Sequence, residues 1–166
     1  MLQAMIAGLA STRDLPITVS SAGFMFDNEP ASRTVCEVMA ERDFDLTGHR
    51  SRIISPALVL DSDLVLTMER SHARELVLAN PDATAKIHTA AGFVSGLSAL
   101  QPPVDKSESP LEIVSRVSSD RQSSDLLGVG ADEIDDPHGR HRRVHRATAD
   151  QLERIASELV SGLFPE

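Results

Sequence analysis

Apolar positions along this chain alternate between a helical and an extended rhythm. Leu2, Met5, Ile6 and Leu9 recur at helical spacing, which predicts an amphipathic helix from residue 1 to about residue 12. After Pro16, the run ITVSSAG is β-branched and ends in small residues, the pattern of a strand. Pro30 suits a first helical position, and Ala31, Val35, Val38 and Met39 mark the buried face of a second helix. Ser55-Pro56 opens a short helical segment to about Leu60. The run from Asp63 to Met68, DLVLTM, is nearly all apolar and fits a parallel strand covered on both faces. A helix from about Ser71 stops at Asn80-Pro81, because proline disfavours helix in the residue before it. Lys86 to His88 reads as a further strand. The last helix is the strongest, with Leu152, Ile155, Ala156, Leu159, Val160 and Leu163 on one face.

Strands alternating with helices predict an α/β layered fold, a small parallel sheet flanked by helices. No internal repeat interrupts it, and 166 residues suit a single domain with a substantial core. Residues 95–130 depart from the rhythm. They are rich in Ser, Asp, Gly and Pro (QPPVDKSESP, SSDRQSSD) and predict a mobile insertion, with one short helix at Leu111 to Val117.

Apolar residues at 41% and charged residues at 25% are globular values, which excludes a disordered or fibrous chain. A net charge of −9 argues against general nucleic-acid binding, and no apolar run reaches the length of a membrane span. One cysteine cannot form an intramolecular disulfide, so a reducing cytoplasm is the expected compartment.

Four blocks carry more specific information: SSAGF (Ser20 to Phe24), LTGHRSR (Leu46 to Arg52), DLVLTM and DDPHG (Asp135 to Gly139). In that order they resemble the low-molecular-weight protein tyrosine phosphatase family. In that family a strand leads into a phosphate-gripping loop with a nucleophilic cysteine, five residues and an arginine. Ser-Pro and a helix often starting at Met follow, and MLQAMIAGL is similar to that helix. The resemblance covers residues 1 to about 94 and 131 to 164. It implies the family's parallel sheet with its first central strand, which lies between the ITVSS and DLVLTM strands, missing from this chain. Such a strand buries about five apolar side chains at roughly 1.5–3 kcal/mol each, on the order of 8–15 kcal/mol. That is comparable with the whole stability of a domain, about 5–15 kcal/mol. A start assigned too late in the gene therefore explains the sequence more simply than a genuine truncation. The upstream frame is then expected to encode an apolar strand, Cys, five residues, Arg, Ser and Pro.

The resemblance also assigns roles. Asp136, just before Pro137, matches the general acid that protonates the leaving oxygen, and Asp135 beside it is a like charge that favours the protonated acid. Taken alone, the two residues read more readily as an ordinary Asp-Pro turn; their position about 30 residues before the end, just ahead of the last helix, favours the acid. His138 stands where the family usually has an aromatic at the phosphotyrosine entrance, and His145 stands at a second such position; an imidazole stacks less well on tyrosine. His49 falls on a His-x-x-Arg position whose histidine buttresses the phosphate loop, or is simply a histidine in a surface connection. Ser20 and Ser21 match small residues near the site. Cys36 and Arg42 satisfy the Cys-x5-Arg spacing, but CEVMAER has no glycine and lies in a predicted helix whose amides bond their own carbonyls. Cys36 is therefore read as a packing residue, not a nucleophile. HGRHRRVHR, His138 to Arg146, packs four arginines and three histidines into nine residues. It reads either as an exposed basic rim that steers phosphorylated protein substrates or, equally, as a solvated helix start. His141 and His145 are four apart, but a third metal ligand is not in register.

The implied activity is hydrolysis of a phosphoprotein monoester through a cysteinyl-phosphate, with no metal or organic cofactor. Without the nucleophile loop, this chain is expected not to turn over. Two other readings are a non-catalytic remnant that binds a phosphoprotein or partner, and an arsenate reductase relative. The last needs redox cysteines beyond Cys36.

Overall fold

A computed structural model describes residues 1–120 and 133–165 of the chain. The elements run α1 (Leu2–Thr12), α2 (Arg33–Ala40), α3 (Pro56–Asp61), β1 (Val65–Thr67), α4 (Arg70–Ala79), a 3-10 helix (Pro81–Lys86), β2 (Ile87–Thr89), α5 (Ala90–Ala99), α6 (Pro110–Asp120) and α7 (Arg142–Leu163). The fold is α/β, with a small parallel sheet flanked by helices. Two compact units are distinguished: Met1–Ile54 with Asp136–Ser157, and Ser55–Asp135 with Glu158–Glu166.

The second unit holds the sheet. Strands β1 and β2 pair in parallel, Val65 against Ile87 and Thr67 against Thr89. A parallel pair needs a crossover, supplied here by α4 and the 3-10 helix. Helices α4 and α5 pack on this pair, and α6 packs on α5 and the 3-10 helix. Side-chain caps fix two of the helix starts. The Ser55 hydroxyl accepts from the Leu58 N–H at 3.3 Å ahead of Pro56, and the Thr89 hydroxyl accepts from the Gly92 N–H at 3.2 Å. At Gly96 the backbone of α5 approaches α6 so closely that an added Cβ would meet Val117 Cγ1 at 2.8 Å.

The first unit is built from α1, α2 and most of α7. Leu2, Met5 and Ile6 are buried on α1, Val38 and Met39 on α2, and Leu152, Ile155 and Ala156 on α7. Its two strand-like bridges join Gly23 to Ile53 and Pro30 to Arg50.

Two expectations are corrected. The ITVSS run forms no strand, because among the described residues it has no ladder neighbour; its recorded bonds are local or to side chains, such as Gln3 Nε2 to the Val19 carbonyl at 3.4 Å. Pro30 lies in a bridge rather than in a helix, and α2 starts at Arg33, where the Ser32 hydroxyl accepts from the Val35 N–H. Within residues 95–130, α5 runs to Ala99, and the short helix expected at Leu111 to Val117 is present as α6, which buries Ile113, Val114 and Val117 at helical spacing. The part of that expected insertion from 121 to 130 lies outside the described residues.

Candidate functional site: the acid loop and its surroundings

Local bonds shape the DDPHG segment. The Asp136 carboxylate accepts from the His138 N–H at 2.9 Å, two residues on, which is the bond of an Asx turn. The Arg140 N–H then donates to the Pro137 carbonyl at 3.0 Å. Gly139 sits between them at φ +69°, a left-handed conformation that a side chain would strain. Pro137 is buried, whereas Asp135, Asp136 and His138 are exposed. The result is a carboxylate held by a local bond at an exposed turn.

The His138 imidazole meets the Phe26 ring, centroid to centroid at 6.3 Å and tilted by 35°. Phe26 is 52% exposed and its neighbour Met25 79% exposed, so the acid loop borders an apolar surface. The sequence reading missed Phe26. Its signal was three large apolar residues, Phe24, Met25 and Phe26, in the turn-like stretch FMFDNE, where no helical or strand rhythm explains them.

His49 is partly buried in the connection after α2. Burial first, and then nearby positive charge including Arg50, holds its imidazole below the usual histidine range. Its carbonyl accepts from Arg50 Nη1 at 2.7 Å. Ser20 and Ser21 are exposed, and the Ser21 carbonyl accepts from Arg52 Nε at 2.9 Å.

Cys36 lies inside α2. Its N–H donates to the Ser32 carbonyl at 3.0 Å and its thiol approaches the Ala31 carbonyl at 3.7 Å. Those amides belong to the helix, and Arg42 is engaged elsewhere, with Asp150, with Glu153 at 3.6 Å and with the Val38 carbonyl at 3.0 Å. Cys36 and Arg42 do not form an anion-gripping loop.

The basic run is corrected in two respects. Arg142 pairs with Glu37 at 3.0 Å and Glu41 at 2.6 Å, and Arg146 pairs with Glu41 at 2.7 Å, so two of the four arginines are neutralised by α2. Arg140 and Arg143 remain exposed. His145 is only 3% exposed, because it falls on the inner face of α7, and its buried Nδ1 has no hydrogen-bond partner among the described residues. It is an interior residue, not an entrance wall, and His141, one turn earlier, is exposed.

The low molecular weight phosphotyrosine protein phosphatase family matches this chain over residues 1–124. The chain belongs to that family. Among similar proteins are the probable low molecular weight protein-tyrosine-phosphatase EpsP of Ralstonia solanacearum and the low molecular weight protein-tyrosine-phosphatase Wzb of Escherichia coli K12. The first is 32% identical over 72 residues, 43% of this chain and 50% of EpsP. The second is 36% identical over 72 residues, 43% of this chain and 49% of Wzb. These matches span about half the length of the curated relatives. The phosphatase fold recurs in solved structures. A YwlE mutant from Bacillus subtilis superposes with a TM-score of 0.72 at 21% identity, over 98% of this chain and 87% of that one. The YwlE arginine phosphatase from Geobacillus stearothermophilus gives 0.69 at 26% identity, over 97% and 84%. Among the described residues, no helix of this family member is long and apolar enough to cross a membrane.

Proposed function

We propose that this phosphatase-family scaffold serves hydrolysis of phosphoprotein monoesters, with Asp136 as its acid, and that these 166 residues by themselves hold the acid half of the chemistry and not the nucleophile half. The observation that supports the reading is the Asp136 carboxylate, which accepts from the His138 N–H at 2.9 Å at an exposed Asp-Pro turn whose sequence, DDPHG, resembles the family's acid loop. In the family reaction a cysteine thiolate attacks phosphorus and the ester oxygen departs with a proton from the acid. The acid then takes a proton from the water that opens the cysteinyl-phosphate. Asp136 supplies both proton steps, and His138 borders the entrance. The site of action is the cytoplasm, and the substrate is a protein carrying phosphotyrosine, or phosphoarginine, in which the bond broken is P–N and the acid's proton goes to the departing guanidino nitrogen. The similar proteins include enzymes named for each.

The test uses a form of this chain with a family Cys-x5-Arg loop fused ahead of Met1. Asp136→Asn is expected to slow cleavage of a tyrosyl or alkyl phosphate by roughly 10²–10⁴-fold, the usual contribution of general acid catalysis. With p-nitrophenyl phosphate, whose leaving group departs readily as an anion, the loss is smaller. Equal losses on both substrates would remove Asp136 from the acid role.

A second reading, a non-catalytic module that binds a phosphorylated partner, draws on the exposed Arg140 and Arg143 beside the acid loop. Saturable binding of a phosphopeptide by the 166-residue chain, lost in a double Arg140→Ala, Arg143→Ala variant, distinguishes it from the catalytic reading. An arsenate reductase is disfavoured by the single cysteine, which lies within α2.

A further inference from the structure

We infer that Phe26 is a positioning residue for the acid loop: its ring braces the His138 imidazole and so keeps the His138 amide on the Asp136 carboxylate. The inference rests on the reading of Asp136 as the acid. The bonds inside the acid loop, His138 N–H to Asp136 and Arg140 N–H to Pro137, are all local. Local bonds fix the shape of a turn but not where it sits. Two features tie the turn to its surroundings: Pro137 is buried, and the His138 ring meets Phe26 at 6.3 Å.

Phe26 can serve as a brace because the loop that carries it is clamped at both ends. At one end the Gly23 N–H donates to the Arg52 carbonyl at 2.9 Å, and the Ile54 N–H donates to the Gly23 carbonyl at 2.8 Å. At the other, the Asn28 N–H donates to the Ser51 carbonyl and the Ser51 N–H to the Glu29 carbonyl, each at 2.8 Å. The Glu29 N–H adds a bond to the Ser51 hydroxyl at 3.0 Å. Asn28 turns the chain back at φ +56°, a conformation asparagine tolerates better than most residues. Little freedom is left to lose in a loop tied this way, so a ring on it can hold a neighbour without a large entropic cost.

Amide exchange in the 166-residue chain tests this without any turnover, so it can fail while the acid assignment stands, and the reverse. Phe26→Leu keeps an apolar side chain and removes the ring. It is expected to speed exchange of the His138 amide by about two- to tenfold, the range set by loss of one aromatic contact, with α7 amides unchanged. Phe26→Tyr keeps the ring and is expected to restore the slow rate. Unchanged exchange in Phe26→Leu, or a Tyr variant as fast as the Leu variant, overturns the inference. If Phe26→Leu loosens α7 as well, His138→Ala decides: the Phe26 ring signals must then move, and a Phe26 spectrum indifferent to its partner overturns the inference equally.

Discussion

Two adjacent carboxylates show how much one hydrogen bond decides. Asp135 and Asp136 are both exposed, but the recorded bond to a backbone N–H, that of His138, is made by Asp136. A held carboxylate presents its proton in a fixed direction, whereas an unheld one spends most of its time misaligned. In a form of the chain that turns over, Asp135→Asn is therefore expected to cost much less than Asp136→Asn, and steady-state rates on a tyrosyl phosphate compare them directly. A larger loss at Asp135 would move the acid to the other member of the pair. The histidines teach the same lesson with the opposite sign. His138 and His145 look equivalent on the sequence as substitutes for aromatics, yet one borders the loop and the other is sealed inside α7.

Between elements, an exposed ionic cluster joins α2 to α7 in the first unit. Glu37 and Glu41 on α2 face Arg142 and Arg146 on α7, and Arg42 reaches back to Asp150 and Glu153. Hydrogen bonds from Arg146 and then Arg142 lower the Glu41 pKa from 4.5 to about 2. A depressed carboxylate pKa stabilises the fold fully above about pH 4.5 and loses that contribution as the pH falls toward 2. Glu41→Gln is thus expected to lower the thermal midpoint at pH 7, to narrow its difference from the parent near pH 2–3, and to lose most of its effect in 1 M salt, which screens exposed pairs. Thermal melts at the two pH values and two salt concentrations check all three. In the second unit the comparable test is apolar. Ile113 on α6 is fully buried, so Ile113→Ala is expected to cost about 2–5 kcal/mol in denaturant unfolding. A loss under 1 kcal/mol would return α6 to the status of a dispensable insertion.

At the scale of the whole molecule, family membership is carried by the match over residues 1–124, and the catalytic capacity of these 166 residues is a matter for assay. The chain carries a single cysteine, and α2 spends the amides around it on helical bonds. The 166-residue protein is expected to hydrolyse p-nitrophenyl phosphate no faster than a buffer blank, and Cys36→Ser to change neither that rate nor the fold. Turnover abolished by Cys36→Ser would show that the helix opens to form a working nucleophile site.

By itself the sequence determined the helices α1, α3, α4 and α7, the two strands that do pair, the α/β class, and the family through four short blocks. Each of these is a local or periodic property: an apolar stripe at 3.6 residues, a Ser-Pro start, a proline stop, or a motif in fixed order. What it could not decide depended on neighbours distant in the chain. ITVSS has the composition of a strand, but a strand exists only where another chain segment completes its ladder. The start of α2 passed from Pro30 to Arg33 because Pro30 is held opposite Arg50, and α6 became part of a core because Val117 seats against Gly96. Half of the apparent basic rim was neutralised by glutamates a hundred residues earlier, and Phe26 reached His138 across a similar separation. Composition and period report what a segment prefers; packing alone decides which of those preferences meets a partner.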